Sequence, residues 1–181
     1  LPRPWSVASR GAVCALVTFS PSAGSAYGAC GGDPLARVFA RAFGAERAIS
    51  SPVLLSCTHA LTVALFGLLV PSDSVLCITG TPYDTLRGVV WGEGNGSLKD
   101  YKISFETVAL TQEGKVDEEA VRAALAQKTY QMVYIQRSRG YELRDAFTME
   151  ATGKMCSFVR PAGFAGVIFV DNCYGEFSET H

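Results

Sequence analysis

The chain has 181 residues, of which 48% are apolar and 18% are charged. That composition supports a buried core of about one domain and excludes a disordered chain. Sixteen Lys and Arg face seventeen Asp and Glu, a net charge of −1, so there is no whole-molecule basic field for nucleic acid or an anionic membrane surface. No apolar run reaches the ~18 residues of a membrane span. The charges are unevenly placed. The first acid is Asp33, preceded only by Arg3 and Arg10, and the last of the five lysines is Lys154. The chain also opens without Met, and both ends read as cuts rather than natural termini.

Residues 1–32 are rich in Ser, Ala, Gly and Pro and read as a loop-rich entry segment. Their basic start, the apolar run 12–19 and Ala23-Gly24-Ser25 also resemble the layout of a signal peptide. From Asp33 the pattern becomes regular. Asp33-Pro34 reads as a cap followed by the first helical position. Leu35, Val38, Phe39, Ala42 and Phe43 then fall on one helical face. A short strand is expected at 51–55. A helix follows from Ser56-Cys57-Thr58 to Leu69, stopped by Pro71. Next come a buried strand at 75–78, a helix at 84–91, a glycine loop at 92–96 and a strand at 105–110. A helix at 117–126, a strand at 132–135, a helix at 148–159 and a strand at 167–170, ending on Asp171, complete the series. Strands alternate with helices, and several strands are continuous apolar runs. The expected fold is therefore α/β, a mostly parallel sheet with helices on both faces and its ligand edge at the carboxyl ends of the strands.

The six cysteines, at 14, 30, 57, 77, 156 and 173, make no CxxC or other metal-ligand spacing. Cys77 and Cys173 lie in or at the end of apolar runs, where a free thiol behaves as a small hydrophobe. Reduced thiols are the expectation, although an even count leaves disulfides open.

Four segments fall just after strands. Ser56-Cys57-Thr58 is a strand-to-helix turn whose free N–H groups suit an anion, or an ordinary helix cap. Tyr83 follows a proline in a Gly/Thr-rich turn, where its ring can stack on a flat ligand or pack on the surface. Gln136-Arg137-Ser138-Arg139-Gly140-Tyr141 places two arginines beyond a buried strand, suited to carboxylate or phosphate; the plainer reading is a solvated turn paired with Glu142 and Asp145. Val167-Ile168-Phe169-Val170-Asp171 drives a carboxylate to the end of an apolar strand, where it needs a cationic partner or simply caps the next turn. A protonated pyridine nitrogen or a metal ion is such a partner. His59 has no metal spacing and reads as a helix-start residue beside the anion turn. Gly92-Glu93-Gly94-Asn95-Gly96 follows a helix, so it is not a dinucleotide fingerprint.

These segments together resemble a specific family. Ser56-Cys57-Thr58-His59-Ala60-Leu61, Leu65-Phe66-Gly67, and Ile78-Thr79-Gly80-Thr81-Pro82-Tyr83-Asp84-Thr85-Leu86 are similar to the aluminium-resistance, methionine gamma-lyase-like proteins. Gly96-Ser97-Leu98-Lys99, the Ile135 to Tyr141 string and Phe169-Val170-Asp171-Asn172-Cys173-Tyr174-Gly175-Glu176-Phe177 extend the match over 33–181. The resemblance implies the large domain of a type I pyridoxal 5′-phosphate enzyme, related to the cystathionine lyases. It implies that the backbone at Cys57 and Thr58 holds the cofactor phosphate and that Tyr83 stacks on the ring. Asp171 keeps the ring nitrogen protonated so that the ring becomes an electron sink. Ser138 and Arg139, in the 137–139 loop, lie near the cofactor or a substrate carboxylate.

The implied reaction is proton abstraction from a sulfur amino acid, then elimination of a thiol, in a cytoplasmic homo-oligomer, dimer or tetramer. Three departures stand out. The family usually reads Ser-Gly-Thr-His where this chain has Ser56-Cys57-Thr58-His59. Its Gly-Tyr-Asp-Asp-x-Gly-Arg-Asp stretch survives only as Ala26-Tyr27-Gly28-Ala29-Cys30-Gly31-Gly32-Asp33, so Tyr27 keeps part of a role that reaches a neighbouring subunit's phosphate. The Schiff-base lysine of such enzymes follows the aspartate, and no lysine follows Asp171 here. The expectation is a partial cofactor domain over 33–181, inactive as given. The rival readings are a non-catalytic cofactor-binding or protein-interaction fragment and, less favoured, a nucleotide-binding α/β domain.

Overall fold

The computed structural model describes residues 32–51 and 53–175, which fall into two compact units divided between Leu55 and Ser56. In the first unit, helix α1 (Gly32–Phe43) begins one residue ahead of the expected cap at Asp33. Of its predicted apolar face, Val38 is buried with Ala42 packed against it, and the rings of Phe39 and Phe43 stack at 6.3 Å. Leu35 and Phe43 stay exposed. The strand expected at 51–55 does not form. Ser51 instead closes a turn, its carbonyl accepting Leu54 N–H at 3.1 Å and its hydroxyl accepting Val53 N–H at 3.4 Å. Pro52 also offers no N–H to a ladder.

The second unit opens with α2 (Cys57–Leu68), β1 (Ser74–Cys77), α3 (Asp84–Trp91) and β2 (Ser104–Thr107). It continues with α4 (Glu118–Gln127), β3 (Met132–Gln136), α5 (Met149–Val159) and β4 (Val167–Asp171). The helices begin where the sequence places capping side chains. Ser56 accepts from His59 N–H, Asp117 from Ala120 N–H and Thr148 from Ala151 N–H, each cap worth about 1 kcal/mol. The four strands form one sheet in the order β2-β1-β3-β4, and every pairing is parallel.

The period of two along the central strands divides the core. Val75, Cys77, Met132 and Tyr134 pack with Leu61 and Leu65 of α2 and Leu86 and Val90 of α3. Leu76, Ile78, Val133 and Ile135 pack with Val121 of α4 and Met155 and Val159 of α5. Helices thus cover both faces, and β1 and β3 are buried throughout, as their unbroken apolar runs require. β4 differs from its expected burial. It is the margin of the described sheet, where the helices cover less, and Val167 and Val170 are partly exposed. The strand expected at 105–110 stops at Thr107, because the chain turns back to pair Leu110 with Val116 in an antiparallel bridge. The glycine loop is organised around Asp100, whose carboxylate accepts the N–H groups of Gly94, Asn95, Gly96 and Ser97.

The chain leaves β1 toward β2 on one side and later reaches β3 on the other. The loops after β1 and β3 therefore diverge from adjacent strand ends, the place where open parallel sheets bind ligands. Among the described residues, no helix is long and apolar enough to cross a membrane.

Candidate functional site

A cavity of about 640 Å³ lies at this carboxyl edge. Its walls come from all four segments the sequence places after strands: the start of α2, Tyr83 and Thr85, residues 137–141, and Cys173 to Gly175. Cys57, Thr58, Tyr83, Ser138 and Arg139 line it together. Asp171 is not a lining residue; it ends β4 two positions before Cys173, which is one. Tyr27 lies outside the described residues.

At the start of α2, the Ser56 hydroxyl accepts His59 N–H at 3.1 Å and its carbonyl accepts Ala60 N–H at 3.0 Å. No described residue accepts the N–H groups of Cys57 and Thr58. The first turn of a helix carries such unsatisfied donors and partial positive charge. The Thr58 hydroxyl is 3.2 Å from the Tyr83 phenol and 3.0 Å from the Thr85 hydroxyl. Tyr83 N–H donates to Gln136 Oε1 at 3.1 Å, so the starts of α2 and α3 and the end of β3 form one connected wall. Gly140 completes it. Its φ is +59°, and a Cβ there would stand 2.8 Å from Tyr83 Cβ, so only glycine allows both the turn and the close approach.

The two arginines of the loop, both on the cavity wall, differ in what holds them. Arg137 is 2% exposed. Its Nε donates to Phe147 O at 3.0 Å and its Nη1 to Asn172 Oδ1, which ties the β3 loop to the turn after β4. Arg139 is exposed, and its guanidinium makes no hydrogen bond or ion pair to a described residue. Of the salt bridges foreseen for this loop, Glu142 pairs with Arg144 instead, through Oε2 at 3.2 Å, and Arg144 donates to the backbone carbonyl of Asp145, not its carboxylate, at 2.9 Å.

Asp171 is 1% exposed. Its Oδ2 accepts the Tyr134 phenol at 2.7 Å and its Oδ1 accepts Cys173 N–H at 3.0 Å. The capping reading is thus fulfilled, yet no cation of the described residues pairs with it. Burial, and next the Asp171 charge, push the Tyr134 phenol far above its ordinary range. Burial also pushes the Cys77 thiol up to about 11, and its Sγ donates to Gly80 O at 3.1 Å. No disulfide joins Cys57, Cys77, Cys156 and Cys173 to one another; Cys14 and Cys30 lie outside the described residues. Tyr174, on the cavity wall, has φ +66°, a strained conformation for a bulky residue that concentrates at functional sites.

Gln136 opens one of the four segments the sequence singles out, whereas Tyr134 reads there only as part of a strand. A tyrosine inside an otherwise apolar strand was the available signal, because a buried phenol needs a partner.

The protein is thus of the α/β class, a parallel sheet that gathers a helix start, an aromatic, an arginine loop and a buried aspartate at its carboxyl edge. The family model described as "Methionine gamma-lyase" matches residues 9–181, and the chain belongs to that family. It is 46% identical over 164 residues to the uncharacterized protein YnbB of Bacillus subtilis, covering 89% of this chain and 39% of that one. A solved Listeria monocytogenes structure, provisionally named a cystathionine beta-lyase involved in aluminum resistance, superimposes with a TM-score of 0.90 at 41% identity, over 97% of this chain and 45% of that one. The carbon-sulfur lyase involved in aluminum resistance from Clostridium novyi gives 0.88 at 35% identity, over 96% and 42%. The chain therefore spans less than half the length of these relatives.

Proposed function

We propose that the cavity binds pyridoxal 5′-phosphate, and that the whole protein uses it to cleave the carbon–sulfur bond of a sulfur amino acid. The observation that carries this reading is Asp171, a buried carboxylate that has two neutral donors and no cation among the described residues, next to a cavity rich in anion donors. A carboxylate has about four acceptor positions, so Asp171 retains capacity for a protonated ring nitrogen. The donor set fits the cofactor at its other end as well: the N–H groups of Cys57 and Thr58 suit its phosphate, and Tyr83 offers a ring to its face. When bound, the cofactor supplies an aldehyde for the amino nitrogen of a substrate and a ring that accepts electrons.

The chain's own residues supply position and charge. The start of α2 holds the phosphate, the Thr58–Tyr83 link fixes the aromatic wall, and Asp171 keeps a proton on the ring nitrogen. Arg139, with no partner among the described residues, is the group for a substrate carboxylate. The Schiff-base lysine is assigned to sequence following Asp171 in the whole protein. All five lysines here precede it, so these 181 residues alone are expected to give no turnover. The whole protein is proposed to be a cytoplasmic homo-oligomer.

The test uses pyridoxine 5′-phosphate, which lacks the aldehyde and cannot react with surface lysines. Saturable binding is expected by fluorescence titration, weakened at least tenfold in Asp171→Asn, the scale of losing a hydrogen bond to a charged group. No binding by the unaltered chain, or equal binding by the variant, refutes the reading.

A further inference from the structure

We infer that Tyr134 is a positioning residue that sets the direction of the Asp171 carboxylate, and through it the affinity of the site for a protonated ring nitrogen. The second half rests on the cofactor reading above; the first half stands without it.

Asp171 has two donors among the described residues, and they are not equivalent. Cys173 N–H, at 3.0 Å, belongs to the turn that Asp171 itself begins, so it moves with the aspartate. The Tyr134 phenol, at 2.7 Å, comes from β3. Among the described residues it is the one side chain that anchors the carboxylate to the sheet independently of that turn. The anchor is rigid. Tyr134 is 0% exposed, with the Phe169 ring stacked on it at 5.4 Å and the Phe105 ring edge-on at 5.6 Å. Trp91 meets Phe105 edge-on at 5.6 Å. This row crosses β2, β3 and β4, and a close-packed ring of this kind does not swing without moving its neighbours. The phenol also remains a donor, because burial and the neighbouring carboxylate hold its proton in place. The carboxylate thus receives a fixed O–H on Oδ2, and its free lone pairs point in a direction the sheet determines.

The decisive variant is Tyr134→Phe, which keeps the ring and removes the oxygen. Amide hydrogen exchange of the ligand-free chain reads the positioning directly. Cys173 N–H should exchange at least tenfold faster in the variant, with the amides of Val133 and Ile135 unchanged. Affinity for pyridoxine 5′-phosphate should fall about ten- to hundredfold. Should Tyr134→Phe fail to fold, Phe169→Leu, which loosens the stack and keeps the phenol, should accelerate Cys173 exchange to a smaller degree. Unchanged Cys173 exchange overturns the inference whatever the ligand does. Faster exchange with unchanged affinity also overturns it, since the carboxylate's direction would then not matter to the ligand. If the unaltered chain binds no pyridoxine 5′-phosphate while Tyr134→Phe accelerates exchange, the cofactor reading fails and the anchoring of Asp171 by Tyr134 is upheld.

Discussion

Gly140→Ala gives a quantitative test of how the arginine loop meets the aromatic wall. Gly140 has φ +59°, and an added Cβ would lie 2.8 Å from Tyr83 Cβ and 3.8 Å from Tyr83 Cα. Carbon atoms in contact prefer ~3.5–4.0 Å, so the loop or the wall must yield by about 0.7 Å. Tyr83 Cβ is not the free end of a side chain. It sits at the N-cap of α3, and its N–H is held by Gln136. The left-handed backbone costs alanine ~1–2 kcal/mol and the crowding ~1–3 kcal/mol more. Gly94 is the control. Its φ is +67° with nothing within 4 Å of an added Cβ, so Gly94→Ala should lose only the backbone part. Urea unfolding followed by circular dichroism measures both variants. Gly140→Ala should be less stable than Gly94→Ala by ~1–3 kcal/mol. Equal costs within ~0.5 kcal/mol would refute the close approach.

Further expectations concern the layer beneath the cavity. Thr79 is 1% exposed and its Oγ1 accepts Gln136 N–H at 2.9 Å; Thr79→Val strands that donor and should cost ~1–3 kcal/mol in urea unfolding, with Thr79→Ser recovering most of the loss. Leu65, 0% exposed on α2, should lose ~3–5 kcal/mol as alanine, whereas Val63→Ala on the open side of the same helix, 51% exposed, should lose under about 0.5 kcal/mol. The Cys77 thiol is raised from 9.0 to about 11 by burial, so the fold binds its proton more tightly than the unfolded chain does. Its contribution is complete below pH 9 and is lost as pH rises through about 11, at up to ~1.4 kcal/mol per pH unit. Urea midpoints between pH 8 and 11 should fall less steeply in Cys77→Ala, and identical slopes would contradict the assignment.

The sheet interior was legible because β1 and β3 are buried on both faces, which writes them as unbroken apolar runs. The helix starts were legible because Ser56, Asp117 and Thr148 are both capping residues and actual caps. The segment 51–55 looked like a strand from its apolar content, but a strand needs a partner ladder, and local composition does not report one. β4 reads like β1 in sequence, yet its burial depends on what covers the sheet margin. Three of the site's segments were legible as post-strand segments, and their convergence follows from parallel topology; the fourth, Ser56-Cys57-Thr58, follows no strand and was legible as a helix start. The division of labour between Arg137 and Arg139 was not legible. It depends on the reach of Phe147 O and Asn172 Oδ1, set by loops ten and thirty-five residues away in sequence. Asp100 was missed for a similar reason: its four N–H donors become neighbours only when the glycine loop folds back.

The parallel ladders also set an order of assembly. Among the described residues, no strand pairs with its partner through a hairpin. Ser74 meets Ser104 across 30 positions, Met132 meets Val167 across 35, and Leu76 meets Val133 across 57. Each closure exacts chain entropy before it returns contacts, which places such folds among the slower small domains. The cavity lies between the ends of β1 and β3, the pair with the longest separation. It therefore comes into being late, after the most demanding closure, and its ligand meets a finished sheet. A small molecule bound there slows unfolding and raises the melting temperature by mass action, but it offers the nascent chain no template.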